Sequence, residues 1–158
     1  MAKKASKLSD IGPQLREFGE AVLREAVLLA DARVKEGSPR DTSRFVNSWM
    51  IGENNESGQP APPGDYGNDI PPPTAINFSL DNFELGNTYS IHNNLEYAEP
   101  VAYGTNLPPS WGGKYQVGNP NLKPARNQGV EPGFPDLAEK EAQAFLDQAA
   151  RKFLKKFF

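Results

Sequence analysis

The fold of this chain is decided by the stretch Ser38-Pro39-Arg40-Asp41-Thr42-Ser43-Arg44-Phe45-Val46-Asn47-Ser48-Trp49. Pro39 cannot continue a helix that precedes it, and Asp41 or Thr42 carries the kind of side chain that caps the start of the next helix. We therefore predict a short second helix of about two turns. A strand pattern begins at Trp49, so this helix would hold the Trp49 ring in the core.

A long helix is predicted upstream of this stretch, from about Pro13 to Glu36. Apolar residues recur there at helical spacing and form one stripe: Leu15, Phe18, Val22, Ala26 and Leu29. Pro13 suits the first helical turn because its missing N–H costs nothing there, and Gly37 supplies the stop. The stripe either packs on the chain's own sheet or lies between subunits.

Two long irregular stretches follow, at 52–73 and 106–133. Both are rich in Gly, Pro and Asn, and the prolines exclude helix interiors and central strands. Loops of this length inside a compact domain are usually functional or disordered.

Between these loops the pattern is mixed. The apolar residues of 75–85 fit both helical spacing and strand alternation, and we favour a short helix that ends at Gly86. A strand is predicted at 88–91, broken by the two asparagines that follow His92. Residues 97–103 are predicted to form a helical turn or a bulge that ends at Gly104.

The chain ends with a helix predicted from about Pro135 to the terminus. Acidic residues near its start and basic residues near its end complement the helix dipole. A buried stripe is expected to pack on the first helix: Leu137, Phe145, Ala149 and Phe153. Other apolar residues fall partly off that stripe: Leu146, Leu154, Phe157 and Phe158. This leaves apolar surface for a subunit contact or for weak membrane adhesion.

The length of 158 residues fits one domain, with residues 1–12 as a flexible basic N-terminus. The absence of cysteine excludes disulfides, thiolate metal sites and a cysteine nucleophile. No apolar run approaches the roughly 20 residues of a membrane span, and no signal core follows the basic N-terminus. We expect a soluble, unsecreted protein that is made in the cytoplasm.

The net charge of -3 conceals an uneven distribution. No Lys or Arg lies between Arg44 and Lys114, and the acidic residues of that stretch give it a charge of -8, so the two ends together carry +5. A duplex-binding protein concentrates basic residues instead. The stretch is either a solvated loop region or an acidic surface, which would dock on a basic partner or line a passage through which DNA slides.

Residues able to carry catalysis are few. His92 is the only histidine, so a general base or a metal site would have to be built around it with Glu96 or Asp81. The chain has no His-Glu-x-x-His spacing, no phosphate-binding glycine loop and no Gly-x-Ser-x-Gly elbow. We therefore expect no catalytic activity, no cofactor and no metal.

Two separated segments carry the most specific pattern in the chain. The first contains Pro39, Asp41, Thr42, Arg44 and Ser48, with Trp49 behind it, and the second contains Asn94, Tyr97, Ala98, Tyr103, Gly104 and Thr105. They resemble the Pro-x-Asp-Thr-Gly-x-Leu-x-x-Ser and Asn-x-x-Tyr-Ala-x-x-x-Glu-x-Gly-Thr patterns of tailed-bacteriophage neck and tail-completion proteins. The chain departs from those patterns at Ser43, where Gly is usual, at Phe45, where Leu is usual, and at Tyr103, where an acidic residue often precedes the Gly.

The resemblance covers roughly 13–153 and implies an α+β subunit, with a small, mostly antiparallel sheet packed by the N- and C-terminal helices. It further implies a virion protein that forms a homo-oligomeric ring at the head-tail junction, with six copies favoured over twelve. Long loops would contact the connector or adaptor on one side and the tail terminator or tail tube on the other. Genomic DNA would pass through without specific binding.

Within this interpretation the two segments brace the subunit or contribute to an interface between subunits. Arg44 is expected to pair with Glu96 or Glu99. Two alternatives stay open, namely a tail terminator or minor tail protein of the same fold and a small enzyme centred on His92.

Overall fold

The computed structural model describes residues 7–40, 42–103 and 133–158. The elements in chain order are α1 (Leu8–Gly37), α2 (Arg44–Asn47), β1 (Trp49–Glu53), β2 (Tyr89–Asn93), α3 (Ala98–Tyr103), α4 (Phe134–Lys140) and α5 (Ala142–Phe157). The fold is α+β, as predicted, with a two-stranded antiparallel sheet.

The sheet joins the two sequence segments. β1 pairs with β2 so that Trp49 lies opposite Asn93 and Glu53 lies opposite Tyr89. Because β1 directly follows the first segment and β2 directly precedes the second, this register brings the two segments side by side. The other edge of β1 is also bonded, since the Ile51 N–H donates to the Thr74 carbonyl at 2.8 Å.

The core lies where the end of α1 meets the sheet and α4. Its central rings, those of Phe45, Trp49 and Phe134, pack edge to face with centroids 5.7 to 6.4 Å apart. The buried Trp49 indole N–H donates to Ser38 Oγ at 2.7 Å, so its polar atom is satisfied. A Cβ at Gly37 would lie 2.8 Å from Phe134, so the absence of a side chain there lets the Phe134 ring pack on the end of α1.

The two long helices pack against each other in opposite directions, which confirms the predicted contact between the first and last helices. Gln14, near the start of α1, donates to the carbonyl of Phe157 at the end of α5. Arg33, near the end of α1, pairs with Glu141 at the start of α5 at 3.0 Å. No helix in the described parts of the chain has an apolar segment long enough to cross a membrane.

The first and last predicted helices have different bounds in the structure. α1 begins at Leu8 rather than at Pro13, with Asp10 in its first turn, where a negative charge is favourable. Residues 8–12 are therefore helical rather than a flexible N-terminus. The predicted C-terminal helix is interrupted at Glu141, whose side chain is bound by Arg33. This break lets α4 face the core while α5 faces α1.

The predicted short helix at 75–85 is wrong. The Ile51 carbonyl accepts from the Ile76 N–H at 3.1 Å, and Ala75 forms a parallel bridge with Ile51, so the chain is extended where it enters this stretch. Asn77 also bonds the Glu53 backbone through both its side-chain oxygen and its nitrogen. These bonds to β1 take the place of helical hydrogen bonds.

The remaining boundaries shift by a few residues. The predicted loop at 52–73 starts later because β1 runs to Glu53, and β2 runs to Asn93 rather than stopping at 91. Ala26 and Ala149 are buried as predicted. Leu15 was predicted to lie on the buried stripe of the first helix but is exposed, and Phe157 was predicted to lie partly off the stripe of the last helix but is buried. Nearly all of the predicted loop at 106–133 lies outside the described residues.

Replacement of Phe134 tests this core. Phe134→Ala removes a ring that is 1% exposed, and we expect the free energy of unfolding to fall by about 3–5 kcal/mol. The matched control is Leu146→Ala, an exposed position on α5 where the expected loss is under about 1 kcal/mol. Equilibrium urea unfolding measures both, and equal losses would contradict the assignment of Phe134 to the core.

Candidate functional site

The segment 54–74 is a long loop whose backbone is bound by side chains from elsewhere in the chain; we call it the tethered loop. It has no strand or helix of its own. Backbone carbonyls that approach the body of a protein need hydrogen-bond donors. Here the donors come from α1, from β2 and from the two sequence segments described above.

The first segment binds the middle of the tethered loop. Arg44 Nε donates to the Ala61 carbonyl at 2.8 Å. The buried Ser48 hydroxyl accepts from the Ala61 N–H at 3.0 Å and donates to the Arg44 carbonyl at 2.7 Å. Ser43 Oγ donates to the Gly67 carbonyl. Three side chains of one short segment therefore fix two points of the loop.

The residues on either side of Gly67 are bound by the chain just before α2. Arg40 donates to the Asn68 carbonyl, and the Tyr66 N–H donates to the Thr42 carbonyl at 2.8 Å. With the Ser43 bond to Gly67, three successive loop residues are therefore held at their backbone while the residues themselves are exposed.

A buried ion pair binds the end of the loop. Lys35 Nζ lies 2.8 Å from Asp31 Oδ2, and both side chains are almost fully buried. The same ammonium donates to the carbonyls of Pro72 and Pro71 at 3.0 and 3.4 Å. Burial has the largest effect on the Asp31 carboxyl and raises its pKa above the ordinary value, while the hydrogen bond and the charge of Lys35 partly offset this rise. Lys35 therefore favours the charged form of Asp31 against the effect of burial.

The second segment and the strand before it bind the beginning of the loop. Asn94 Nδ2 donates to the carbonyls of Glu56 and Gly58 at 3.0 and 3.1 Å. His92 Nε2 lies 2.8 Å from the Ser57 carbonyl, and because a carbonyl only accepts, this nitrogen carries a proton.

The neighbouring serine and asparagine of β2 complete these contacts. Ser90 Oγ donates to the Asn55 carbonyl at 3.0 Å and lies 3.1 Å from His92 Nδ1. Asn93 Nδ2 donates to the Phe45 carbonyl at 2.9 Å and so connects the second segment directly to α2. Of the two ring nitrogens of His92, Nε2 contacts the loop directly, and Nδ1 contacts Ser90, which itself binds the loop.

The backbone at Ser43 has an unusual conformation. Its φ of 61° and ψ of 13° lie in the left-handed region, which glycine adopts most readily. Asp41 or Thr42 was expected to cap the start of α2, but the residue at the cap position is Ser43. The Ser43 side chain makes no capping hydrogen bond. Its hydroxyl is directed at the tethered loop instead, and α2 is a single turn rather than about two.

The other predicted site residues lie around this arrangement. Pro39 is buried after α1, Tyr97 packs against the core, and Ala98 begins α3. Tyr103 ends α3 and donates to Asp136 at 2.8 Å, and this bond raises the pKa of its hydroxyl. Asp41, Gly104 and Thr105 lie outside the described residues.

The predicted partner of Arg44 is wrong. Among the described residues, the ion pairs do not include Arg44, which binds the Ala61 carbonyl rather than Glu96 or Glu99. The difference arises because α2 directs the guanidinium toward the loop. The acidic residues of the basic-free stretch stay largely in solvent: all are exposed except Glu53, which is half-buried and accepts from the Tyr89 hydroxyl at 2.8 Å.

Sequence reasoning missed four residues that bind the tethered loop: Lys35, Arg40, Ser43 and Ser90. It also interpreted Asn93 only as a strand breaker. No periodicity marks such residues, since each contacts a carbonyl far along the chain. Within the described ranges, no three His, Asp or Glu side chains are close enough to bind a metal ion.

Comparisons of the chain with protein-family models, with curated proteins and with solved structures found no match.

Removal of the Lys35 charge tests the buried pair. Lys35→Met leaves Asp31 buried without its counter-ion, and we expect a loss of about 3–5 kcal/mol in the free energy of unfolding at neutral pH. Without Lys35 the folded-state pKa of Asp31 rises further above its unfolded value, so stability falls as pH increases through that pKa. The loss should therefore be larger at about pH 7 than at about pH 4.

Urea unfolding at both pH values provides the measurement, and Lys140→Met, at an exposed position on α4, is the control. A loss in Lys35→Met that does not change with pH would contradict the role of Asp31.

Ser48→Ala tests the contact between the first segment and the loop. The change leaves the Ala61 N–H without its acceptor, and we expect a loss of about 1–3 kcal/mol together with faster proteolytic cleavage within 54–74. Ser57→Ala serves as the control because Ser57 Oγ bonds only within the loop, to Asn55. If both variants are cleaved at the wild-type rate, the loop is not held by Ser48.

Proposed function

We propose that this protein is a structural component of a tailed-phage virion that forms a homo-oligomeric ring at the head-tail junction. It would join the connector to the tail and leave a passage for DNA. Six copies are favoured and twelve are the alternative. The proposal rests first on the resemblance of the two segments to neck and tail-completion proteins.

The single observation that carries the proposal is the backbone at Ser43. In the resembled pattern this position is a glycine, and here its φ of 61° is one that glycine adopts without steric cost. The chain has Ser43 where the pattern has glycine, yet the backbone at Ser43 keeps a conformation that favours glycine. This supports the resemblance, because the pattern gives only the residue type and says nothing about the backbone angles.

The contacts of the two segments support a role in positioning a loop. Ser48 and Asn94, one from each segment, bind separate points in the first half of the tethered loop, Ser48 at Ala61 and Asn94 at Glu56 and Gly58. An exposed loop held at fixed points on a rigid body is suited to contact a neighbouring ring. In this proposal the loop contacts the connector or the tail.

The exposed acidic residues support the passage of DNA without binding. Seven of the eight acidic side chains between Arg44 and Lys114 are exposed. A surface of this sign repels phosphates rather than binding them. If it faces the lumen of the ring, it would let DNA slide.

The environment of His92 argues against the enzyme alternative. Its ring is buried and both nitrogens contact backbone or hydroxyl groups that hold the loop. A general base needs a nitrogen available to substrate. The tail terminator alternative shares this geometry and differs in the ring it contacts.

Inactivation of the gene in the phage that carries it tests the proposal. A nonsense codon should yield filled heads and separate tails that do not join, seen by electron microscopy, and a wild-type copy should restore joining. Tails of abnormal length would instead support a tail terminator. Normal infectious particles would contradict the proposal.

Complementation with His92→Gln distinguishes the structural proposal from the enzyme alternative. The glutamine amide can still donate to the Ser57 carbonyl, so the variant should fold and restore joining. A stably folded His92→Gln protein that fails to restore joining would favour a chemical role for the imidazole.

A further inference from the structure

An exposed apolar surface lies at one end of the α1 and α5 pair. Leu8, Ile11 and Leu15 occupy positions three and four apart on α1, and so lie on one face. Leu154 and Phe158 lie four apart at the end of α5. We call these five residues the helix-end patch.

The two parts of the helix-end patch lie on the same side of the helix pair. The Phe18 ring, one turn after Leu15, packs edge to face on the Phe158 ring at 5.4 Å. Leu8 is 86% exposed, Leu15 52%, Leu154 50% and Phe158 47%. A contiguous apolar surface of this kind marks an interaction site rather than ordinary scatter.

Basic side chains border this patch on α5. Arg151 lies three residues before Leu154, and Lys155 lies three before Phe158, so each shares a helix face with an apolar neighbour. Arg16 is exposed next to Leu15 on α1. The patch thus has a basic rim on its α5 side, while its α1 side also carries the exposed carboxylates of Asp10 and Glu17.

The exposed tip of the tethered loop has the complementary composition. Tyr66 and Ile70 are exposed large apolar residues, and each directly follows an exposed aspartate, Asp65 or Asp69. The backbone between these two pairs is held at 66–68 by the contacts from Thr42, Ser43 and Arg40 described above, so the four side chains flank a fixed piece of backbone.

These two surfaces cannot meet within one molecule. The loop is bound at Lys35, near the end of α1, whereas the patch includes Leu15. Twenty residues of helix separate these positions, which is about 30 Å at 1.5 Å per residue. Complementary surfaces at opposite ends of one subunit generate head-to-tail contacts, which close into a ring or extend as a filament.

We propose that the helix-end patch of one copy docks on the loop tip of the next copy, with its basic rim against Asp65 and Asp69. The occupant of the patch is therefore a second copy of this chain. This inference specifies the subunit contact and rests on the proposed ring assembly.

Reciprocal charge reversal tests this contact. One variant carries Arg151→Glu and Lys155→Glu, and the other carries Asp65→Lys and Asp69→Lys. All four positions are exposed, and circular dichroism confirms folding. Each variant alone places like charges at every contact, so we expect it to be monomeric in light scattering at concentrations where the wild type associates.

An equimolar mixture of the two variants should associate again, because every contact between unlike copies is then attractive. The restored particles should contain the two variants in equal numbers by native mass spectrometry. Because salt screens exposed charges, association of the wild type should weaken at high ionic strength.

Three results would overturn the inference. The first is wild-type association by each variant alone, and the second is a mixture that stays monomeric. The third is a wild type that is monomeric and instead floats with vesicles of anionic phospholipid, which would assign the patch to a lipid surface. None of these results decides whether the protein lies at the head-tail junction, which the gene inactivation experiment tests separately.

Discussion

The constraint on which the structure depends is that the backbone carbonyls of one long loop need hydrogen-bond donors from the rest of the chain. The tethered loop contains prolines and glycines, has no regular hydrogen bonding of its own, and yet lies against the body of the subunit. Its carbonyls are bound in succession by Ser90, His92, Asn94, Arg44, Ser43, Arg40 and Lys35. Each of these bonds is modest on its own, since most of the loop is exposed and its carbonyls could bond water instead, but several of them act on one segment. The loop and the body therefore stabilise each other.

This constraint explains why the two sequence segments contain polar rather than catalytic residue types. Ser48 and Asn94 are short, with both donor and acceptor capacity, and suit backbone contacts. The same constraint explains Gly52 in the middle of β1, where a Cβ would lie 2.0 Å from the Asn55 carbonyl oxygen. The strand gives up a side chain there so that the loop can turn back across it.

The parts that the sequence predicts well are those governed by local rules. The helix of α1, the strand at Trp49 and the contact between the first and last helices follow from apolar spacing, proline and glycine signals. The parts that it misses depend on contacts between distant residues. The break at Glu141 involves Arg33, 108 residues earlier, and the extended backbone at Ala75 depends on pairing with Ile51. No local pattern encodes either contact.

The same reasoning applies to the candidate site. Ser48, Trp49 and Asn94 could be singled out from the segments, but the target of Arg44 could not, because a carbonyl acceptor such as that of Ala61 has no sequence signature. The charge of Arg44 indicated a carboxylate partner, whereas in the structure its guanidinium binds a backbone carbonyl. Among the residues that stand out in sequence, the side chains of Arg44, Ser48 and Asn94 position a loop.

Native-state hydrogen exchange of three backbone amides measures the central claim most directly. The Ala61 and Tyr66 N–H groups are bonded to the Ser48 hydroxyl and the Thr42 carbonyl, and the Ala26 N–H lies in the buried middle of α1. If the loop is held as described, the two loop amides should exchange with opening free energies close to that of Ala26. Exchange of Ala61 and Tyr66 at the rates of an unprotected loop, with Ala26 still protected, would contradict the account.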